Sequence, residues 1–445
     1  MSNFKKMAPL LFIEFYLSLT VLLLIIGPWD FEITNPVKLY GSLFVYQILL
    51  AVGYFIAMKY INVKKNVAFC NEVKNIKLIK ILMPIYFVIL LIDITRSFGL
   101  SSISLTGIIE RLIYGIQNPA LSYYAKFDVT QSNIFLGKFG TILMFIGSPI
   151  SYLLLSLLIL YFKKFNLKYK IFTVIIISMY LIRYIATGTN KGVFDIIIIL
   201  ISVVFLSVLQ KKNEEKVEND FLRKNTKKYV TILLLFIAAA TFFNYMIGSR
   251  SFGVNFSKDT KIGEMVPLKE KSLLLDVLPD PLDKPAVLLS SYLTQGYYGL
   301  SLAMQVPVTP MFGVGSSMFL VDQISERIDI DKFTVQKKAE KKFGWNSRVQ
   351  WSSMYSWIAN DVGFIGVGIF MAVLGMAFGL VYKDIMVNNN LIAKVLFTFL
   401  MIQFFFVPAN NQLTVNMNSY SSTVFTVFLW IISKKGLFIT KWIKK

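Results

Sequence analysis

Histidine is absent from this 445-residue chain, and cysteine occurs once, as Cys70. Without histidine there is no Ser-His-Asp triad, no imidazole base and no His-based zinc site, and a lone thiol makes no internal disulfide. No Gly-x-x-x-x-Gly-Lys-Ser/Thr segment occurs either, which removes the usual backbone cradle for ATP phosphates. Acidic residues number 25 against 46 lysines and arginines, so any acid–base chemistry rests on a small set of carboxylates. What fills the chain instead is apolar: 56% hydrophobic residues, 15% aromatic, mean hydropathy +0.62. A soluble globular protein carries ~45–50% apolar residues, so the sequence describes a polytopic membrane protein.

Apolar runs fall at 8–27, 39–58, 80–96, 134–162, 171–187, 193–209, 229–247, 356–382, 391–407 and 419–434, most of them near the ~20 residues a spanning helix needs. The expected fold is therefore all-α, a membrane bundle of about ten transmembrane helices with one large extracytoplasmic loop containing short helices. Its expected divisions are 1–247 with about seven spans, the loop 248–355, and 356–445 with about three. The first run follows Lys5 and Lys6 and leads into Gly27-Pro-Trp-Asp30 with no small-x-small cleavage site, so it reads as a retained signal anchor.

The net charge of +21 would point to nucleic acid in a soluble domain. Here the cations follow the topology. With the N-terminus inside, Lys59, Lys64, Lys65, Lys163, Lys164, Lys211, Lys212, Arg223, Lys383, Lys434 and Lys435 fall in cytoplasmic segments, and both termini come out cytoplasmic. The charge is a topology signal with attraction for anionic inner-leaflet lipid, and no nucleic-acid partner is expected.

Two longer pieces fall on the outer side. One, 97–133, contains the amphipathic stretch Ile108 to Gly115, suited to lying along the interface. The other is the 248–355 loop, where Leu288 to Met304 is rich in apolar and aromatic residues and predicts an amphipathic or re-entrant helix, flanked by turns at Pro279, Pro281, Pro307 and Pro310. Within it, Asp329-Ile-Asp331 has the spacing of a metal-holding Asp-x-Asp. The Ile-Asp-Ile-Asp alternation reads better as a half-buried strand, so no metal and no cofactor is expected.

Four cations recur at the expected outer ends of spans: Arg183, Lys191, Arg250 and Arg348. Arg183 and Lys191 bracket a glycine-punctuated hairpin, Arg183-Tyr-Ile-Ala-Thr-Gly-Thr-Asn-Lys-Gly192, between two apolar runs. A charge at the lip of a membrane core is costly to desolvate and usually faces a bundle interior or a wet cavity. Glycines let backbone N–H groups approach an oxyanion while the side chain supplies charge, a way to hold phosphate or diphosphate. The plain alternative is snorkelling to the interface. Among carboxylates, Asp361 and Asp195 lie at the starts of spans, as a base or as neutralising partners of the arginines. Asp30 and Glu32 in the first outer loop are weaker candidates for a catalytic acid.

These pieces together resemble the bacterial oligosaccharide repeat-unit (O-antigen) polymerases. The resemblance lies in a span ending in Thr187-Gly-Thr-Asn-Lys-Gly192, an arginine after the next span in Gly248-Ser-Arg250, a long loop with Ser291-Tyr-Leu-Thr-Gln-Gly-Tyr-Tyr-Gly-Leu300, and Trp357 to Gly366 opening the following span. It covers about the C-terminal two-thirds of the chain. It implies an inner-membrane, metal-independent glycosyltransferase that joins undecaprenyl-diphosphate-linked oligosaccharides on the outer side, with a chain-length regulator as partner. By that resemblance Arg183, Lys191, Arg250 and Arg348 bind the diphosphate, and Arg250 and Asp361 are the catalytic candidates. The related O-antigen ligases carry a histidine where this chain has Ser352, so that assignment does not transfer. The other classes that fit are a lipid-linked oligosaccharide flippase or exporter and a ligase-like glycosyltransferase using the same lipid donor.

Overall fold

The computed structural model describes residues 3–64, 71–125, 135–210, 241, 245, 260–263, 265–278 and 283–435. The expected span 229–247 and Arg250 lie outside them, apart from two single positions of the former. The helices are α1 (Asn3–Ile26), α2 (Pro36–Tyr60), α3 (Glu72–Ser97), α4 (Leu105–Gln117), α5 (Pro119–Ala125), α6 (Gly137–Tyr161), α7 (Leu167–Ala186) and α8 (Lys191–Gln210). After a two-stranded antiparallel ribbon, β1 (Lys261–Ile262) and β2 (Val266–Pro267), come α9 (Leu273–Val277), α10 (Asp283–Ala303), α11 (Met318–Ser325), α12 (Val335–Phe343), α13 (Met354–Asn388), α14 (Leu391–Phe406) and α15 (Met417–Lys435). Many start where the sequence supplies a polar cap. The side chains of Asn35, Ser104, Asn166, Ser317, Thr334 and Asn390 each accept a backbone N–H in the first turn of the helix they precede.

Among the described residues, seven helices are long and apolar enough to cross a bilayer: α1, α2, α3, α6, α7, α8 and α13. That is the signature of a membrane protein. Helix α14 coincides with an expected span but has 16 residues, short of the usual ~20, and α15 opens on the polar run Asn418, Ser419, Ser421 and Ser422. The stretch Leu288 to Met304 lies in α10 except for Met304, which follows its last residue, and Ile108 to Gly115 lies inside α4. The strand expected at Ile328 to Asp331 does not form: Asp331–Phe333 is a single 3-10 turn. Its alternation has no partner strand, and local hydroxyls take the backbone groups, Ser325 Oγ accepting from Asp331 N and Thr334 Oγ1 donating to Asp331 O.

The chain divides into two compact units, one of residues 1–81, 145–157 and 257–445, the other of residues 82–144 and 158–256. In the first, α2 lies against α13 along a seam of small residues. A Cβ on Gly53 would meet the Ala372 carbonyl, and one on Gly375 the Leu50 carbonyl. Without a hydrophobic driving force between helices in lipid, such close backbone approach is what holds them. Helix α13 is broken at Gly363, whose φ of 68° and ψ of 168° belong to a region open essentially to glycine alone. The break frees the Asn360 carbonyl, which accepts from Met311 N at 2.9 Å, and just past it Phe364 O accepts from Tyr46 Oη at 2.7 Å.

Helix α10 is fixed at both ends. Near its start, buried Trp29 donates its indole N–H to Ser290 Oγ at 3.1 Å. Past its last turn, Lys38, Lys342 and Lys338 donate to the carbonyls of Met304, Gln305 and Pro307 at 2.8, 3.2 and 2.9 Å, cations where the helix dipole leaves negative charge. In the second unit α4 packs on α7, with Gly115 directly over the Ala186 backbone.

Alanine at Gly363 or Gly375 is expected to destabilise by ~1–3 kcal/mol, through backbone strain at the first and overpacking at the second. Gly41 has nothing within 4 Å of an added Cβ, so Gly41→Ala is the control and keeps or slightly raises stability. Thermal unfolding of the purified protein in detergent checks all three; unchanged melting at Gly363 and Gly375 contradicts the packing described.

Candidate functional site

The connection between α7 and α8 is built as a helix-terminating motif followed at once by a helix start. Thr189 N donates to Tyr184 O at 2.9 Å and Gly188 N to Ile185 O at 3.0 Å, with Gly188 at φ +63°, which together make a Schellman turn. Gly188 is required twice, since a Cβ there would also strike the Pro119 carbonyl of α5. The hydroxyls of Thr187 and Thr189 both fold back onto Tyr184 O, at 3.2 and 3.1 Å. Helix α8 then begins with Asn190, whose carbonyl accepts from Val193 N and Phe194 N.

Two ion pairs flank this turn. Arg183 Nε lies 2.8 Å from Asp93 Oδ2 of α3 and donates to Ser97 Oγ at 3.1 Å. Lys191 Nζ lies 2.8 Å from Asp195 Oδ2, which also accepts from Tyr180 Oη at 3.0 Å. The Tyr184 ring stands between the cations, its centroid 5.0 Å from Arg183 Cζ and 5.8 Å from Lys191 Nζ, both within cation–π range. Gly192 permits this: any Cβ there would enter the Tyr184 ring. One turn from Asp93, Arg96 donates to Phe135 O, Gly137 O and Thr141 Oγ1. Arg183 and Lys191 are thus each paired with a carboxylate, and Lys191 stands at the N-terminal, positive end of α8.

Asn190 stands out in this setting. It is 6% exposed, and neither its Nδ2 nor its Oδ1 has a hydrogen-bond partner among the described residues. A buried amide left unpaired costs ~1–3 kcal/mol, so this side chain is one whose placement packing alone does not explain.

Of the residues expected from the sequence, Arg183 and Lys191 come together around Tyr184. Asp195 is paired with Lys191 and fully buried. Arg250 lies outside the described residues. Asp361 and Arg348 belong to the other unit. There Asp361 accepts Gly315 N on Oδ1 and Ser316 N on Oδ2, both at 2.8 Å, while Asn411 Nδ2 and Thr414 Oγ1 hold Ser316 O from the opposite side. Its carboxylate is a clamp on the 311–317 loop. Arg348 Nη2 sits 3.6 Å from Asp322 Oδ1 with both side chains substantially exposed. Asp329 is exposed and loosely paired with Lys332 at 3.6 Å; Asp30 and Glu32 are exposed.

Sequence reasoning passed over Asp93 and Asn190. Asp93 had a signal, since a carboxylate inside an apolar run, three residues before Arg96, is by default a pairing or functional group. Asn190 had none, because an Asn before a helix is ordinarily its cap. No known protein family, curated protein or solved structure matches the chain.

Removing Asp93 strands Arg183 in a largely buried place, so Asp93→Ala is expected to cost about 3 kcal/mol, the lower end for broken buried pairs. The double variant Asp93→Ala with Arg183→Met is expected to regain most of it. A double-mutant cycle of unfolding free energies measures this, and simple additivity means the pair carries no coupling.

Proposed function

We propose that this chain is an integral-membrane glycosyltransferase that joins undecaprenyl-diphosphate-linked oligosaccharide units, with the turn between α7 and α8 holding the diphosphate. The observation that carries the proposal is Asn190, a buried amide without partners among the described residues, next to Lys191 at the N-terminus of α8 in the turn that follows Arg183. Such a turn offers an anion backbone dipoles, side-chain charge and an amide donor at once. The resemblance to O-antigen polymerases supplies the reaction. A hydroxyl of the incoming unit attacks the anomeric carbon of the growing chain, the bond from that carbon to the diphosphate oxygen breaks, and the hydroxyl proton passes to a base or to solvent. Negative charge grows on the departing diphosphate, so cations fixed there act most strongly in the transition state.

In this proposal Asp93 and Asp195 keep Arg183 and Lys191 charged and oriented when no substrate is bound. From the resemblance alone come Arg250 as a further diphosphate ligand and Asp361 as the candidate base; within its own unit Asp361 positions the 311–317 loop. The proposed location is the bacterial inner membrane with both termini cytoplasmic and a chain-length regulator as partner. One observation favours a second reading, a lipid-linked oligosaccharide exporter: both cations are already neutralised within apolar helices, as charges along translocation pathways are.

Purified protein in proteoliposomes, given labelled lipid-linked repeat units, separates the two. Chain lengthening supports the polymerase, whereas translocation without new bonds supports the exporter. Arg183→Ala and Arg250→Ala are expected to lower polymer formation by ~10²-fold or more with membrane insertion intact. Asn190→Ala is expected to lose polymer while unfolding at a higher temperature, because it removes an unsatisfied amide. Full activity in Asn190→Ala, or loss of both activity and stability, refutes the role given to that amide.

A further inference from the structure

Residues 311–361 enclose a second polar site whose chemistry differs from that of the hairpin. A cleft there is lined by Met318, Val321, Asp322, Asp331, Gln336, Ser347, Arg348 and Trp357. Its deepest polar group is Gln336, 3% exposed, and the orientation of that amide follows from the backbone. Val335 N donates to Asn360 Oδ1 at 2.8 Å, which fixes Asn360 Nδ2 as a donor, to Gly315 O at 3.0 Å and to Gln336 Oε1 at 2.9 Å. Gln336 Oε1 is thereby committed as an acceptor. Its Nε2 is left as a buried donor without a partner among the described residues.

The other groups that line the cleft are of mixed character. Asp322 and Asp331 are acceptors, Arg348 is a donor held loosely to Asp322 at 3.6 Å, and Trp357 and Val321 supply apolar surface. Burial raises the Asp322 carboxyl above its ordinary range; Arg348 opposes this, and the charges of Asp331 and Glu326 add to it. Two carboxylates against one guanidinium make the cleft a poor site for diphosphate. A neutral polyol suits it, since hydroxyls donate to carboxylates, accept from an amide and a guanidinium, and leave C–H faces for an indole. The enclosed space is about 10 Å³, room for about one oxygen atom, so one hydroxyl enters and the ring stays at the mouth.

We propose that this cleft is a saccharide-binding site, in which Gln336 Nε2 receives one sugar hydroxyl and Asp322, Asp331 and Arg348 take the ring-edge hydroxyls outside it. The proposal rests on the polymerase reading for the source of the sugar, not for the chemistry of the cleft. It gives Arg348 a sugar in place of the diphosphate.

The test is binding of neutral methyl glycosides to the full chain in a detergent without a sugar headgroup, read by saturation-transfer NMR and tryptophan fluorescence. Inorganic diphosphate serves as the competing probe. Gln336→Glu keeps the acceptor toward Asn360 and converts the buried donor into an acceptor, and Asp322→Ala removes an acceptor at the mouth. Each is expected to weaken glycoside binding at least about tenfold, Asp322→Ala with unchanged melting and Gln336→Glu with earlier melting because its carboxylate is buried, and diphosphate is expected not to compete. Absence of glycoside binding, binding unaffected by both variants, or displacement by diphosphate overturns the proposal; the first means that water alone satisfies Gln336. Should a variant melt early, Arg348→Ala, at an exposed position, carries the same expectation. Sugar binding in a protein that makes no polymer upholds the cleft and counts against the polymerase reading, whereas polymer without glycoside binding does the reverse.

Discussion

The constraint on which the rest depends is the cost of placing charge inside apolar helices. Arg183 and Lys191 sit at the ends of two such helices, and each is met by a carboxylate at 2.8 Å. Taking two charges out of water costs several kcal/mol per ion, offset only when geometry is good and the remaining donors are satisfied. The chain meets that condition with Ser97 on Arg183, Tyr180 on Asp195 and the face of Tyr184 between the cations. Glycine at 192 and at 188 follows, because the ring and α5 need the space. Once this group of residues is in place, an unsatisfied amide within it is conspicuous.

The other unit solves a different problem, how to hold irregular backbone beside long helices. The break at Gly363 exposes the Asn360 carbonyl of α13, which Met311 N takes up, and Tyr46 Oη holds Phe364 O just beyond it. Asn360 and Asp361, just before the break, use their side chains to hold Val335, Gln336 and the 311–317 loop. One helical turn thus organises the polar part of its unit, while the glycine seam between α2 and α13 holds the apolar part. The position of Asp361 at the start of a span follows from this clamping role as readily as from acid–base chemistry.

How much of this was legible in the sequence depended on whether the signal was local. Helix positions were, since apolar runs and caps such as Asn35-Pro36 and Asn166 are read residue by residue. The hairpin's charged, glycine-punctuated character was also visible, in Gly188, Gly192, Arg183 and Lys191. The partners were not. Asp93 reaches Arg183 from ninety residues away, and Asp322 meets Arg348 across a loop and a helix, contacts that only tertiary packing creates. Asp329-Ile-Asp331 misled because alternation predicts a strand only when another strand is available to pair with it. Asn190 was hidden by its ordinary position, and only burial without a partner distinguishes it from a simple cap.

The most direct test of the central claim is a measurement of contact between the hairpin and a lipid diphosphate. Protein labelled with ¹⁵N in its asparagine and lysine side chains, reconstituted with undecaprenyl diphosphate, would be examined by ³¹P–¹⁵N dipolar recoupling. The account predicts dephasing of Asn190 Nδ2 and Lys191 Nζ that disappears when those residues are substituted. Dephasing confined to other side chains, with Asn190 and Lys191 unaffected, would contradict it.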